Sequence, residues 1–220
     1  MKKEVIIFGG GMGAIQAIEA IELMSRADPD FCTIIGLADD DPQRKGTKIA
    51  GYEVIGSLLE ASQRPNTFFA WGLGNPTNPR LRLIISERLG IPDARFIAII
   101  HPSVVVSRTA RIDPGATVYA NATIAPGAHI GCHSGVGIGS VVEHDCVLEA
   151  GSLLASGVLL AGHVTIAAGT FVGQGANIKG DVKIGAGCMV GMGAVVLNDV
   201  EDRDVVVGNP ARVIKKMPAL

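Results

Sequence analysis

The second half of the chain repeats its hydrophobic positions with a period of six residues. Every sixth residue from Ile112 to Val196 is isoleucine, valine or leucine, and the residue two positions earlier is usually small. This period fits neither an α-helix, with about 3.6 residues per turn, nor the alternation of a simple strand. It fits a chain that turns a corner every six residues, so that three hexads close one triangular coil around an aliphatic axis. We therefore predict a left-handed parallel β-helix of about five coils. The axial positions are Ile112, Val118, Ile124, Ile130, Val136, Val142, Leu148, Leu154, Leu160, Ile166, Val172, Ile178, Ile184, Val190 and Val196.

The first hundred residues alternate apolar runs with amphipathic segments. The runs at 4–8, 33–38, 52–54, 67–73 and 96–100 predict strands, and the segments at about 15–25, 57–62 and 78–89 predict helices. Alternating strands and helices indicate a small parallel sheet of Rossmann type. We expect two domains, a Rossmann-like α/β domain over 1–101 and the β-helix with a C-terminal tail over 102–220.

A glycine-rich turn follows the first predicted strand and precedes the first helix. Gly9, Gly11 and Ala14 have the G-x-G-x-x-A spacing of a dinucleotide-binding turn. Such a turn offers backbone N–H groups and a helix N-terminus to a phosphate. The second strand ends in carboxylates that can bind ribose hydroxyls or a base. A turn needed only for close packing is the alternative, and the chain is too short to add the catalytic domain of a dehydrogenase. The predicted nucleotide site comprises Gly9, Gly11, Met12, Gly13, Asp39 and Asp40.

Charge and composition exclude several classes of partner. The chain has 19 Lys and Arg against 21 Asp and Glu, a net charge of -2, which provides no basic face for nucleic acid or an anionic membrane. No apolar run reaches the roughly 20 residues that span a bilayer, and no secretory signal pattern is visible. We expect a cytoplasmic location, no nucleic-acid partner and no membrane insertion. None of the four cysteines has CxxC spacing, so neither a disulfide nor a zinc site is expected.

A charged triple interrupts the hexads about one third of the way along the repeat. With Val142 pointing to the axis, Glu143, His144 and Asp145 lie on the outside of one edge, and Cys146 turns inward. These charges contribute nothing to the core. An imidazole ordinarily titrates near about pH 6.5 and can accept a proton at neutral pH. We therefore predict His144 as a general base, with a solvated surface histidine as the alternative.

The glycine-rich turn, the hexads and the Glu143–His144–Asp145 triple together resemble one enzyme family. It comprises the sialic-acid O-acetyltransferases and nucleotide-amino-sugar N-acetyltransferases of bacterial surface-glycan synthesis. The resemblance covers essentially the whole chain and implies acetyl-CoA as co-substrate, with Asp145 orienting the His144 ring. Within that family, the predicted nucleotide site with Asp39 and Asp40 favours N-acetylation of a nucleotide-linked amino-deoxy sugar held by domain 1–101, with Glu143 beside the substrate. O-acetylation of sialic acid or a related sugar is the alternative, and the sugar, its nucleotide and the acetylated position stay open.

The same resemblance implies a homotrimer with coenzyme A in the cleft between two prisms. Gly162, about one coil after His144, is expected to offer its backbone N–H to the thioester carbonyl. Further backbone donors are expected at Gly173, Ala176 and Gly191. The tail over 208–212 would cover the coenzyme, and Arg212 would meet its 3′-phosphate, together with Lys215 and Lys216. The outward apolar residues expected to pack between subunits are Val141, Leu153, Leu159 and Phe171.

Two positions depart from the family pattern, and two other functions compete with the transferase. Relatives often carry histidine where this chain has Met12 and Leu153, so we expect a more apolar acceptor pocket.

A γ-type carbonic anhydrase shares the prism but needs three zinc-binding histidines, at spacings that no pair of histidines in this chain has. No metal is therefore expected. A non-catalytic scaffold would leave the charged triple without a purpose. The positions considered for zinc are His101, His129, His133, His144 and His163.

Overall fold

The computed structural model describes residues 2–218 and begins with an α/β domain. Its five-stranded sheet has the order β3-β4-β2-β1-β5. All of its strand pairs are parallel except β3 with β4. None of the helices in the described part is long and apolar enough to cross a membrane. The elements are β1 (Lys3–Phe8), α1 (Met12–Ala27), β2 (Cys32–Ala38), β3 (Lys48–Ile49), β4 (Tyr52–Gly56), α2 (Leu58–Ser62), β5 (Thr67–Trp71) and α3 (Leu81–Leu89), with 3-10 turns at Pro42–Arg44 and Asp93–Arg95.

The first helix is held to the sheet by one apolar face. Ala14, Ile18 and Ile21 follow one another at helical spacing and are fully buried against the strands. The other face of the sheet packs on a cluster of aromatic rings, in which Trp71 and Phe96 stack with centroids 4.7 Å apart. This arrangement brings the carboxyl ends of β1 and β2 to the start of α1, where ligands bind in open α/β sheets.

The second part is a three-sided prism of short parallel strands, as the hexads predict. We call its sheets the first, second and third side, in the order in which the chain visits them. The first side ends in an antiparallel pair, β23 with β24. The first side comprises β6 (Ile99–Ile100), β9 (Thr117–Val118), β12 (Gly135–Val136), β15 (Leu153–Leu154), β18 (Phe171–Val172), β21 (Met189–Val190), β23 (Asp204–Val207) and β24 (Arg212–Lys216). The second comprises β7 (Val105–Val106), β10 (Thr123–Ile124), β13 (Val141–Val142), β16 (Leu159–Leu160), β19 (Asn177–Ile178) and β22 (Val195–Val196). The third comprises β8 (Arg111–Ile112), β11 (His129–Ile130), β14 (Val147–Leu148), β17 (Thr165–Ile166) and β20 (Lys183–Ile184).

The predicted aliphatic axis is the core of the prism. Every predicted axial residue after Ile112 is buried, and Ile112 itself packs against that core from its end. Small polar residues between the aliphatic ones bond neighbouring coils: the hydroxyls of Ser134, Ser140 and Thr170 each donate to a backbone carbonyl. Buried hydroxyls therefore have acceptors, which keeps the cost of burying them small.

The prism begins earlier than predicted and is longer. Ile100 and Val106 continue the six-residue pattern, and the second side alone stacks six strands, so the expectation of about five coils is too low. The predicted strand at 96–100 does not belong to the α/β sheet as a whole. Phe96 makes a single bridge with Phe69, whereas Ile99–Ile100 pairs with Thr117–Val118 on the prism. The chain thus passes from sheet to prism just before the predicted boundary at 101.

Candidate active site

His144 and Asp145 lie together at the corner between the second and third sides of the prism. The His144 Nδ1 atom is 3.0 Å from Asp145 Oδ2, and both side chains are about half exposed. Because an ionised carboxylate can only accept, the neutral ring donates from Nδ1 and keeps a lone pair on Nε2. Nε2 is therefore the atom that can take a proton from a substrate.

Gly162 lies directly against the Nε2 side of the His144 ring. A Cβ atom at Gly162 would stand 2.5 Å from His144 Nε2, so only glycine leaves the ring in place. The Gly162 carbonyl accepts from Asp181 N, while its N–H has no hydrogen-bond partner in residues 2–218. The N–H predicted to meet the thioester carbonyl is therefore unoccupied and adjacent to the base. Its role toward the coenzyme stays a prediction.

The backbone around the pair is shaped for this contact. Asp145 has a φ of 57°, in the left-handed region that aspartate tolerates better than most residues. One coil below it, a Cβ at Gly127 would overlap the Asp145 carboxylate. His163, one coil above Asp145, has a φ of 60°, and its ring meets the His144 ring edge-on with centroids 4.9 Å apart. Glu143 is exposed beside them.

The same corner is also a group of possible metal ligands. His144, Asp145 and His163 each place one ligand atom within 4.8 Å of the others. All three are exposed. The two imidazoles and the carboxylate are of the kind that binds zinc.

Three of the four predicted coenzyme donors are already engaged inside the prism. Gly173 N donates to Val190 O, Ala176 N to Gly173 O, and Gly191 N to Val206 O. Their N–H groups close the turns and ladders between coils, so these positions do not offer the predicted backbone donors. Of the four, Gly162 alone keeps an unpartnered N–H in the described chain.

The C-terminal tail is a strand and not a helix. β24 runs antiparallel to β23, and its side chains are exposed. Lys216 pairs with Asp204 at 2.7 Å, whereas the side chain of Arg212 bonds, within residues 2–218, only the carbonyl of Ala211. Arg212 and Lys215 are therefore available to an anion such as the coenzyme phosphate, and their role stays a prediction.

All six predicted nucleotide-site residues line one cavity of about 490 Å³ at the end of the α/β sheet. We call it the glycine cavity. Gly11 is the N-cap of α1 and makes no side-chain cap bond. The first N–H groups of this 16-residue helix are thus presented without a side-chain acceptor. The lining residues include Gly9, Gly11, Met12, Gly13, Asp39 and Asp40.

Glycine is required in this turn by close approach of neighbouring backbone. Gly9 has a φ of 107°, and a Cβ there would be 2.9 Å from the Leu73 Cβ. A Cβ at Gly13 would be 2.6 Å from the Gly72 carbonyl oxygen. The packing alternative therefore holds for these two glycines, whereas Gly11 has nothing within 4 Å and Met12 is 75% exposed.

The two carboxylates at the end of β2 both make bonds within the protein. Asp39 accepts from Gly10 N at 2.6 Å and from Asp41 N at 2.9 Å. Asp40 accepts from Leu58 N at 3.0 Å and pairs with Arg88 at 3.2 Å. Each carboxylate oxygen can accept a second bond, so both side chains can still bind a nucleotide while they fix the walls of the cavity.

A second cavity, of about 340 Å³, lies between the α/β domain and the first side of the prism. We call it the interdomain chamber. It shares Gly13 and residues 72–74 with the glycine cavity, so the two spaces adjoin. Its walls combine apolar and polar groups, which suits a sugar with one apolar face. The lining includes Gln16, Asn75, Arg82, Tyr119, Leu153, Phe171 and Gln174. The sequence gives no sign of this chamber, because its walls come from both domains.

The apolar residues predicted to join subunits fall on two different sides. Val141 and Leu159 lie on the second side, and Leu159 is 45% exposed. Leu153 was predicted to face a neighbouring subunit, but it is buried between the domains, with Cδ1 3.9 Å from a Cβ at Gly74. Phe171 lines the interdomain chamber beside it. The structure therefore removes Leu153 from the predicted contacts between subunits.

His133 occupies an outward position of its hexad but is buried between the two domains. Its Nδ1 accepts from Trp71 Nε1 at 2.9 Å, and its Nε2 is 3.0 Å from Asp93 Oδ1. Desolvation lowers the pKa of His133, and the Asp93 bond opposes this only in part. His133 therefore holds the two domains together as a neutral ring. His129 pairs with Asp113 at 2.8 Å, on the third side.

One side of the prism separates the candidate base from the two cavities. His144 lies where the second side meets the third. The interdomain chamber opens on the first side and on residues 138 and 156, where the first side meets the second. No residue of the chamber lining is His144, Asp145 or Gly162. Within one chain the predicted acceptor and the predicted base therefore face different edges.

Comparison with known proteins assigns the chain to a family. Residues 163–198 match the family described as Bacterial transferase hexapeptide (six repeats). A perosamine N-acetyltransferase from Caulobacter crescentus is 30% identical, with 97% of each chain covered and a TM-score of 0.83. That structure carries a histidine-to-asparagine substitution and contains CoA and GDP-perosamine. This chain belongs to the hexapeptide-repeat transferase family. A comparison with curated protein sequences returns no match.

Two further solved structures resemble almost the whole chain. The acetyltransferase domain of PglB from Neisseria gonorrhoeae FA1090, in complex with acetyl coenzyme A, is 27% identical, with 97% of this chain and 100% of that chain covered and a TM-score of 0.84. WeeI from Acinetobacter baumannii AYE is 27% identical over the same shares, with a TM-score of 0.71. These comparisons confirm the predicted family, fold class and enzyme class.

Proposed function

We propose that this protein transfers an acetyl group from acetyl-CoA to the amino group of a nucleotide-linked amino-deoxy sugar. The observation that carries the proposal is the His144 ring, bonded through Nδ1 to Asp145 and resting with Nε2 on Gly162. Similar proteins that bind acetyl-CoA, or CoA with GDP-perosamine, support the choice of both substrates. The relative that acts on perosamine is an N-acetyltransferase, which favours an amine over the hydroxyl of the alternative reading.

In the proposed reaction the sugar amine attacks the thioester carbonyl. A C–N bond forms as the C–S bond breaks, and His144 Nε2 takes the proton that the amine loses. That proton then passes to the sulfur of coenzyme A, which leaves as the thiol. The Gly162 N–H stabilises the negative charge on the carbonyl oxygen during attack. Asp145 keeps the ring oriented through its bond to Nδ1.

The two adjoining cavities suit the two ends of the acceptor. The glycine cavity offers the N-terminus of α1 to the diphosphate and Asp39 and Asp40 to the nucleoside. The interdomain chamber then receives the sugar, where Leu153 and Phe171 form an apolar wall. That wall is consistent with a deoxygenated sugar. A cytoplasmic location stays a prediction.

We further propose that the active unit is a homotrimer. The second side of the prism carries exposed Val105 and Leu159, and burying such side chains stabilises association. A neighbour packed on that side would bring its His144 corner toward the chamber of the first chain. Each active site would then combine the base of one subunit with the acceptor cavities of another.

The experiment that tests the proposed activity is a two-step screen. Thermal shift against UDP-, GDP-, TDP- and CMP-linked amino sugars identifies the acceptor, and release of free thiol from acetyl-CoA measures turnover. We expect one nucleotide series to raise the melting temperature and its 4- or 3-amino sugar to release thiol in proportion to acetylated product. Thiol release with sialic acid but with no amino sugar would favour the O-acetyltransferase instead.

A further inference from the structure

The guanidinium of Arg82 is a buried positive charge without a negative partner. The residue is 5% exposed, and no carboxylate within residues 2–218 lies within 4 Å of it. Burial lowers the pKa of Arg82 to about 10, so the group is still charged at neutral pH. A desolvated charge without a counter-charge costs stability unless other groups compensate it.

Only part of the guanidinium is used within the protein. Nε donates to the carbonyl of Leu73 at 2.8 Å. Nη1 donates to Thr117 Oγ1 and to the carbonyls of His133 and Ser134, at 3.2 to 3.4 Å. These bonds join α3 to the end of β5 and to the first side of the prism. Nη2, with two N–H groups, has no hydrogen-bond partner in the described part of the chain.

The unused nitrogen lies at the junction of the two cavities. Arg82 lines the interdomain chamber, and Nη2 is 4.0 Å from a Cβ placed on Gly74, a residue that lines both spaces. Leu73 lies between the two groups that attract anions, the Arg82 guanidinium and the glycine turn at the start of α1. Its carbonyl holds Arg82, and its Cβ lies 2.9 Å from a Cβ on Gly9 in the glycine turn.

We propose that Arg82 Nη2 binds the phosphate that links the nucleotide to the sugar in the acceptor. This inference rests on the proposed function. An acceptor that runs from the glycine cavity into the chamber passes residues 72–74, and its anionic part is the diphosphate. Guanidinium groups bind phosphate oxygens by charge-assisted hydrogen bonds. Arg82 would thereby set the point at which the sugar enters the chamber, while its other donors hold the domains together.

The test is equilibrium binding of two probes to wild type and variants. The probes are the nucleoside diphosphate that wild type binds best among UDP, GDP and TDP, and the corresponding nucleoside. For Arg82→Gln we expect the affinity for the diphosphate to fall at least about tenfold, and the affinity for the nucleoside to stay within about twofold. Arg82→Lys should lose less, because it retains the charge. Arg80→Gln is the matched control, since Arg80 lines a different cavity. The Arg80→Gln protein should bind both probes with the affinities of wild type.

A purely structural role gives a different pattern. If both affinities fall together in Arg82→Gln, or neither falls, the inference is wrong. Should both Arg82 variants fail to fold, Gly74→Ala replaces them, because its Cβ makes no contact closer than 3.9 Å and leaves the bonds of Arg82 intact. The Gly74→Ala protein should bind the nucleoside diphosphate more weakly than wild type and the nucleoside equally well. Equal affinities of the two proteins for the diphosphate would overturn the inference. If wild type binds no nucleoside diphosphate, the proposed function is contradicted as well. If wild type binds it but the ratio of diphosphate to nucleoside affinity is unchanged in the variants, only the role of Arg82 is contradicted.

Discussion

Single residues at one corner of the prism determine what His144 can do. A charged triple stands out in an aliphatic repeat and draws attention to His144 and Asp145, whereas Gly162 entered only through the family resemblance; the roles of all three stay predictions. The sequence did not reveal why residue 162 is glycine: its missing side chain leaves room for Nε2. Arg82 also escaped prediction, since an arginine in a helix gives no sign that it will be buried.

Replacing His144 by asparagine tests the base directly. We expect kcat to fall by about 10² to 10⁴, because proton removal from the amine is lost, while the affinity for acetyl-CoA is unchanged. Thiol release gives kcat, and calorimetry gives the affinity. His101→Asn is a matched control, because the His101 ring bonds Ser103 and lies where the first side meets the second, at a different corner from His144. Near-normal turnover by the His144 variant would rule out its role as base.

Gly162→Ala tests the contact beneath the ring. The Cβ would come within 2.5 Å of His144 Nε2, so the ring must move away from the thioester position. We expect kcat to fall by about 10- to 1,000-fold, because a displacement of about 1 Å in a catalytic group can cost about 100-fold in rate. The melting temperature should be unchanged. The φ of Gly162 is accessible to alanine, so a large loss of stability would show that the glycine serves packing instead.

At the scale of elements, the six-residue pattern predicted the axis of the prism but not its surroundings. Ile100 and Val106 extend the same pattern and could have revealed the earlier start. The outward positions were harder, since a repeat shows which side chains leave the axis and not what covers them. His133 and Leu153 both point outward from the prism and are both buried by the α/β domain.

The buried His133 makes the contact between the domains sensitive to acid. Its pKa is lowered in the folded protein, so below about pH 6.5 the unfolded chain binds the proton first. The stability that depends on neutral His133 is complete above pH 6.5 and falls as the pH drops toward the folded-state pKa, by at most about 1.4 kcal/mol per pH unit.

We expect the free energy of unfolding of wild type to exceed that of His133→Asn by less at pH 5.5 than at pH 7.5. Asparagine is chosen because residue 133 has a φ of 61°. Urea unfolding at both pH values measures the difference between the two proteins. A difference that stays constant with pH would show that His133 does not titrate on unfolding in this range.

At the scale of the whole molecule, the second side of the prism separates the proposed base from the proposed acceptor cavities. Sequence patterns cannot reveal this separation, because it depends on how the α/β domain sits on the first side. The family assignment supports acetyl transfer as the reaction. Because the proposed base and cavities face different edges of one chain, a complete site requires a neighbouring subunit.

Leu159→Asp tests that need. A charge on the second side should dissociate the proposed trimer, since a buried unpaired charge is strongly unfavourable. Activity should then fall at least about 100-fold although His144 is intact. Light scattering gives the mass, and thiol release gives the activity. Thr165→Asp, at the equivalent outward position of the third side, is the control and should leave both unchanged. A fully active Leu159→Asp monomer would refute the shared site.

The most direct measurement is a crystal structure of the His144→Asn variant with CoA and the amino-sugar nucleotide found by the screen. We predict that the sugar amine lies within about 3 Å of the side chain at position 144 of a neighbouring subunit, with the coenzyme sulfur beside the Gly162 N–H. An amine beyond hydrogen-bond reach of residue 144 in every subunit would contradict the account.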